Sequence, residues 1–302
     1  MSLLSWLFGQ KKKPSETPVS TTPVAPSSSV WSDNRTRLSD TPYLLPKDAA
    51  EDNRLDYQHY VIQFSLGTHY VAPIPQTLKR ILDVGTGTGI WAIEIARQFP
   101  EAEVIGIDIS DSSFKKDPPE NCLLQTGNIL EGLAFPDQTF NYTHQRFLVA
   151  AIPAARWRGV VHELVRITAP GGWVELLEIN NIFQNAGPET MGLARWIGSV
   201  SQAMGFDANS VPSIGKWLTE EGLQRVETQD IVVPLGDWGG RAGALLKRDL
   251  LAGFDAARSV YCAQTKTPLE AFDKLIQTVA AEWEEYHTSY TFHASYGKRA
   301  AK

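Results

Sequence analysis

Between residues 81 and 110 the chain reads ILDVGTGTGIWAIEIARQFPEAEVIGIDIS. Ile81, Leu82 and Val84, with Asp83 between them, open a short strand. Apolar residues then recur at helical spacing from Ile90 to Phe99, and Pro100 ends that run. Val104 to Ile107 is a second unbroken apolar stretch, and it closes on Asp108. The alternation continues downstream. Residues 122–125 read as a third strand, and residues 140–144 as a fourth, entered through the turn PDQT. Residues 157–168 read as a helix with Val160, Val161, Leu164 and Val165 on one side. The turn Pro170-Gly171-Gly172 leads into a fifth strand at 173–179, apolar enough to be central. A helix at 51–67 precedes the first strand. Helices at 190–204 and 213–222, a strand at 225–234 and a strand at 289–296 follow the fifth. Phe272, Leu275, Ile276, Val279, Ala280 and Trp283 keep the i, i+3, i+4, i+7 spacing of one more helix. Strands alternating with helices predict an α/β protein with a parallel sheet and right-handed crossovers.

Such sheets bind ligands at the carboxyl ends of their strands. Gly85, Gly87 and Gly89 follow the first strand, where backbone can approach a ligand closely. Asp108 ends the second, where a carboxylate can accept two hydrogen bonds from a ribose diol. A dinucleotide fingerprint would need glycine at position 90, which is Ile90, so a nicotinamide oxidoreductase is disfavoured. Gly127, Asn128 and Ile129 follow the third strand, and His144, Gln145 and Arg146 lie at the end of the fourth. Glu178, Ile179 and Asn180 end the fifth.

The turn DVGTGTG resembles motif I of the class I S-adenosylmethionine-dependent methyltransferases. Together with NRLDYQHY at 53–60, PDQTFNYTHQRFL at 136–148, PGGWVELLE at 170–178 and YTFHASYGKR at 290–299, it resembles the LaeA-like group of that family. The resemblance implies a Rossmann-like seven-stranded sheet, mostly parallel with the last strand antiparallel, and S-adenosylmethionine as cofactor. It implies that Asp83, Gly85, Thr86, Gly87 and Gly89 surround the methionine part, and that Asp108 and Ile109 meet the ribose. Asn128 and Ile129 would meet the adenine, and Gln145 would flank the methionine end. Asn128 stands where many relatives carry aspartate. The segment before the first strand folds over the cofactor in such proteins, which places Tyr57, Gln58 and His59 near it. The leading function is methyl transfer to a small-molecule acceptor, apolar or aromatic, with O-methylation ahead of N- or C-methylation. The alternative is a regulatory or scaffold protein of secondary metabolism that binds S-adenosylmethionine with little turnover.

An acceptor that must lose a proton needs a general base. His144 is the first candidate, because imidazole titrates near neutrality, then His59, then Glu178. The remaining histidines show no metal-ligand spacing, and no metal is expected. Insertions at about 181–212 and 238–287 would form a helical lid, with Trp196, Met204, Trp238, Phe254 and Tyr261 as wall residues. The domain would span 43–300. Residues 1–42 read as a disordered arm, because the Pro/Ser/Thr-rich stretch at 14–30 cannot offset its chain entropy. MSLLSWLFGQKKK at its start offers at most a weak membrane or partner contact. A net charge of −6 argues against a nucleic-acid surface over the whole domain and leaves room for a local basic patch, and the two cysteines, Cys122 and Cys262, form no redox or metal pair, as in a cytoplasmic protein.

Overall fold

The computed structural model describes residues 48–301; the expected arm at 1–42 lies outside them. One sheet contains β1 (Arg80–Val84), β2 (Glu103–Asp108), β3 (Cys122–Thr126), β4 (Phe140–Arg146), β5 (Thr168–Gln184), β6 (Gln224–Pro234) and β7 (Ser289–Lys298). Their spatial order is β3-β2-β1-β4-β5-β7-β6. β7 runs antiparallel to both of its neighbours, and the pairs among β1 to β5 are parallel. The seven-stranded sheet with an antiparallel last strand is the one expected.

Seven α-helices accompany it among the described residues: α1 (Ala49–Leu66), α2 (Ile90–Gln98), α3 (Trp157–Ile167), α4 (Pro188–Ala203), α5 (Ile214–Glu220), α6 (Gly240–Thr265) and α7 (Leu269–Glu285). The period-two alternation of β1 divides the core between two faces. Leu82 and Val84 pack with α3 residues such as Val161 and Leu164, whereas Ile81 packs with Trp91 and Ile95 of α2. Asp83 shares the α2 face, and the β1–β4 register sets it beside His144. A third cluster joins Val61 and Ile62 of α1 to Leu246 and Phe254 of α6, Val279 and Trp283 of α7, and Phe292 of β7.

Three boundaries differ from expectation, and each matters for the site. β4 continues to Arg146, so His144 and Gln145 lie inside a strand. β5 runs from Thr168 to Gln184, which places Gly171 (φ 79°) near its start and Glu178 in its interior. Hydrogen bonding to β7 extends that strand past Ile179, through a bulge. Finally, α6 is one helix of 26 residues over a stretch whose apolar spacing carries no clear period. It lies along α1, where Asp249 accepts from Arg54 Nη1 at 2.6 Å. None of the described helices is long and apolar enough to cross a membrane.

The insertion helices hold together partly through one carboxylate. Gly187 offers no side chain to cap α4, and Glu282 of α7 takes that role. It accepts from Glu189 N (3.0 Å), Thr190 N (2.8 Å) and Thr190 Oγ1 (2.6 Å). Glu282→Ala strands three donors, two of them at a helix N-terminus, and should cost about 2–3 kcal/mol. Chemical denaturation checks this, and a loss below roughly 0.5 kcal/mol would show that water replaces the carboxylate.

Candidate functional site

A cavity of about 310 Å³ opens at the carboxyl ends of β1 to β5 and is bordered on another side by Leu55 and Gln58 of α1. Its floor is the glycine turn. Gly85 has φ +71°, and a Cβ there would come within 2.5 Å of the Leu148 side chain. Gly89 has φ +81°, and its Cβ would meet Leu124 at 2.5 Å. Glycine is therefore required by both backbone and space. Thr86 N donates to Ile107 O (2.8 Å), and Gly87 N donates to Asp108 Oδ2 (2.9 Å), so the turn is fastened to the end of β2. Asp108 presents its carboxylate at the wall. Beside it Ile109 is 46% exposed, and Ile129 also borders the space. These features form a carboxylate flanked by apolar faces, over a backbone that excludes side chains. They suit a nucleoside.

Asn128 borders the cavity, and its amide also has local work. Oδ1 accepts from Leu130 N (3.0 Å) and Nδ2 donates to Glu131 Oε1 (2.9 Å). It is the N-cap of a short 3-10 turn, which accounts for asparagine here.

Of the residues expected at the cofactor, Gly85, Thr86, Gly87, Asp108, Ile109, Asn128 and Ile129 border the cavity. Asp83, Gly89, Gln145 and Tyr57 do not. Asp83 is 2% exposed and sits beneath the turn, accepting from Thr86 Oγ1 (2.6 Å) and His144 Nδ1 (2.8 Å). Gly89 starts α2 and packs on Leu124. Gln145 is buried, with Nε2 donating to Glu178 at 3.3 Å. Tyr57 points to a separate depression shared with Tyr60, Arg241 and Arg248, because its neighbour Gln58 takes the inward face of α1.

The three candidate bases also lie off the cavity wall. His144 is 1% exposed, and its ring lies on Trp91 with centroids 3.9 Å apart and planes 5° from parallel. Strand alternation turns it onto α2 rather than out of the strand end. His59 donates from Nε2 to Glu94 (2.9 Å) and accepts at Nδ1 from Arg146 Nη2 (2.9 Å). The guanidinium can only donate, so this pairing assigns the imidazole hydrogen to Nε2. Burial pulls the His59 pKa down to about 4 despite Glu94, so the ring is neutral at pH 7 with both nitrogens engaged. Glu178 is fully buried and accepts from Leu148 N (3.1 Å), Val149 N (2.9 Å) and Gln145. It pins the loop after β4 that borders the cavity. Burial pushes its pKa up to about 7 against those three donors.

The two groups affect stability in opposite directions. His59 titrates lower when folded, so its contribution is intact above pH 6.5 and drains as pH falls towards 4. Glu178 titrates higher when folded, so stability is lost as pH rises from 4.5 through 7. Wild-type protein should therefore lose on the order of 3 kcal/mol between pH 5 and 8 that Glu178→Gln does not lose. Denaturation midpoints of both proteins at the two pH values measure it. Parallel behaviour would show that Glu178 is ionised across the range.

The aromatic residues expected to wall an acceptor pocket pack among the insertion helices instead. Trp196 meets Tyr261 at 4.8 Å, Phe254 meets Trp283 at 6.1 Å, and Trp238 covers His287 at 4.8 Å. Met204 caps the end of α4. None of these five borders the cavity. Residues at the cavity that the sequence did not point to include Glu51, Arg54 and Leu55 of α1. Arg146, expected at the carboxyl end of the fourth strand, does border the cavity. His59, His69 and Glu94 also come together, with potential metal-ligand atoms within 4.8 Å of one another, although no sequence spacing announced it. The hydrogen on His59 Nε2 and the adjacent Arg146 cation make the trio a hydrogen-bonded network rather than a prepared metal site.

Comparison with known proteins agrees with this geometry. Residues 57–228 match the family described as a methyltransferase domain. The chain is 28% identical to N-methyltransferase sirN of Leptosphaeria maculans, over 87% of this chain and 97% of that protein. It is 31% identical to the secondary metabolism regulator laeA of Aspergillus fumigatus, over 65% of this chain and 54% of that protein. The expected likeness to the LaeA group is borne out. Phosphoethanolamine N-methyltransferase 2 of Haemonchus contortus, solved with S-adenosyl-L-methionine, shares the fold. The TM-score is 0.51 at 15% identity, covering 82% of this chain and 57% of that longer one.

Proposed function

The chain belongs to the methyltransferase-domain family, and from that premise we propose that it moves the methyl group of S-adenosylmethionine to a small-molecule acceptor that needs no protein base. An amine nitrogen is the first choice for the accepting atom, and an oxygen already ionised at pH 7 is the second. The observation that carries this reading is the placement of His144, His59 and Glu178 away from the cavity wall. Glu51 does border the cavity, but Arg54 Nε and Nη2 each donate to it at 2.8 Å, which makes it a poor proton acceptor.

When bound, S-adenosylmethionine supplies a methyl carbon made electrophilic by its sulfonium. The chain supplies binding, orientation and exclusion of water. Asp108 would hold the ribose, the turn at 85–89 would admit the ligand against bare backbone, and Ile109 and Ile129 would flank the base. Asp83 keeps Thr86 and the turn in place from below. A neutral amine would need no base, because its lone pair can form the new bond to the methyl carbon as the carbon–sulfur bond breaks and S-adenosylhomocysteine leaves, and the resulting ammonium can lose its proton to solvent. A phenol would need a base first, so the O-methylation expected from the sequence is kept for acceptors such as carboxylates. The N-methyltransferase name of the relative from Leptosphaeria maculans supports the first choice. We assign α1 as the cover of the cavity and α6 as its buttress through Arg54 and Asp249.

The test is release of S-adenosylhomocysteine with panels of amines, phenols and carboxylic acids across pH 5 to 9. With an amine, the rate should follow the unprotonated fraction of the acceptor. A rate governed instead by a protein group near pH 7 and abolished in Glu178→Gln would overturn the base-free mechanism. Tight nucleoside binding without turnover of any acceptor class would favour the regulatory reading, which the likeness to laeA supports.

A further inference from the structure

Two arginines border the cavity, and their surroundings differ. Arg54 is saturated by acids, with two bonds to Glu51 and one to Asp249. Arg146, the last residue of β4, has the neutral imidazole of His59 as its hydrogen-bond partner and lies over the Phe147 ring at 5.8 Å. Among the described residues, no carboxylate lies within ion-pair distance of it. A half-buried guanidinium beside an apolar-lined cavity is costly unless a ligand brings the missing anion. Its burial, which lowers the guanidinium pKa, marks the same cost.

We propose that Arg146 is the carboxylate-binding residue of the cavity, and that His59 is the positioning residue that aims it. The proposal rests on the methyltransferase reading above. Planar guanidinium matches planar carboxylate through two parallel N–H···O bonds, a geometry that lysine cannot reproduce. The carboxylate can come from the amino-acid end of the cofactor or from the acceptor. His59 holds Nη2 through Nδ1, and Glu94 of α2 fixes the ring by accepting from Nε2. His69 stacks beside it, with centroids 5.7 Å apart. The chain Glu94–His59–Arg146 thus links α2, α1 and β4, and leaves the rest of the guanidinium fork for a ligand.

The full chain is titrated calorimetrically with S-adenosylhomocysteine and with 5′-methylthioadenosine, which lacks the amino-acid carboxylate. Arg146→Met keeps most of the apolar stem of the side chain and removes the guanidinium with its charge. It should weaken S-adenosylhomocysteine at least 30-fold and leave methylthioadenosine within threefold, if the cofactor supplies the carboxylate. Arg146→Lys should recover only part of the loss. If Arg146→Met leaves both nucleosides unchanged, benzoate is titrated into protein saturated with S-adenosylhomocysteine. Binding to wild type and not to Arg146→Met would place the carboxylate on the acceptor. Equal losses for both nucleosides, or no effect on the nucleosides and no benzoate binding, would overturn the proposal. His59→Leu should weaken S-adenosylhomocysteine about tenfold without affecting methylthioadenosine, and His59→Gln, whose amide can both accept and donate, should restore it. A purely structural His59 would change both nucleosides together. Failure of wild type to bind either nucleoside would overturn the parent reading as well, an outcome distinct from any that depends on a variant.

Discussion

Asp108→Ala should lower the affinity for S-adenosylhomocysteine by about 100-fold. The carboxylate stands at the cavity wall at the end of β2, and its Oδ2 already accepts from Gly87 N in the glycine turn. Hydrogen bonds to a charged acceptor contribute about 1.5–3 kcal/mol each, and a partial loss of turn geometry adds to their removal. Since 1.4 kcal/mol corresponds to a factor of ten, a loss near 3 kcal/mol gives the expected effect. Asp108→Asn keeps the shape and one acceptor oxygen, so it should fall between the two. Calorimetric titration of folded protein measures both. Wild-type affinity in a folded Asp108→Ala protein would remove the ribose from this position.

The largest loss of stability is expected from Asp83→Ala. Asp83 is buried in β1, and one oxygen accepts from His144 Nδ1 while the other accepts from Thr86 Oγ1. Deleting the carboxylate leaves an imidazole N–H and a hydroxyl without partners in the core, next to the void of the lost side chain. Breaking a buried pair of this kind by removing one partner costs about 3–5 kcal/mol. In a domain of this size that lowers the melting temperature on the order of 10 °C. Nucleoside affinity should fall too, because Thr86 belongs to the turn that floors the cavity. A melting temperature within 2 °C of wild type, roughly 1 kcal/mol, would mean that His144 and Thr86 find other partners.

Read together, the two variants separate what was legible in the chain from what was not. Asp108 could be assigned from sequence, because a strand that ends on an acid after a glycine turn and helix presents that acid at the strand's carboxyl end. Its placement depends on local order alone. The glycines were legible for the same reason: positive φ at 85 and 89 is a property of the residues themselves. Asp83 and His144 lie 61 positions apart, and only the register of β1 against β4 makes them partners. The sequence places the end of strand four at His144, where a side chain can turn into a cavity at the strand end. Two further residues of pairing with β5 hold it inside the sheet, where alternation commits it to the α2 face.

Hydrophobic period, glycine spacing and terminal acids therefore determined the fold class, the end of the sheet where the cavity opens and most of the expected cavity wall, since each of these signals acts within a few residues of chain. The tertiary structure alone decided which polar groups became buried struts and which reached the cavity. His59, Glu94 and Arg146 come from three elements, and whether an imidazole is a base or a brace depends on the partners that occupy its two nitrogens. Those partners are set by strand register and helix packing, which no short stretch of sequence encodes.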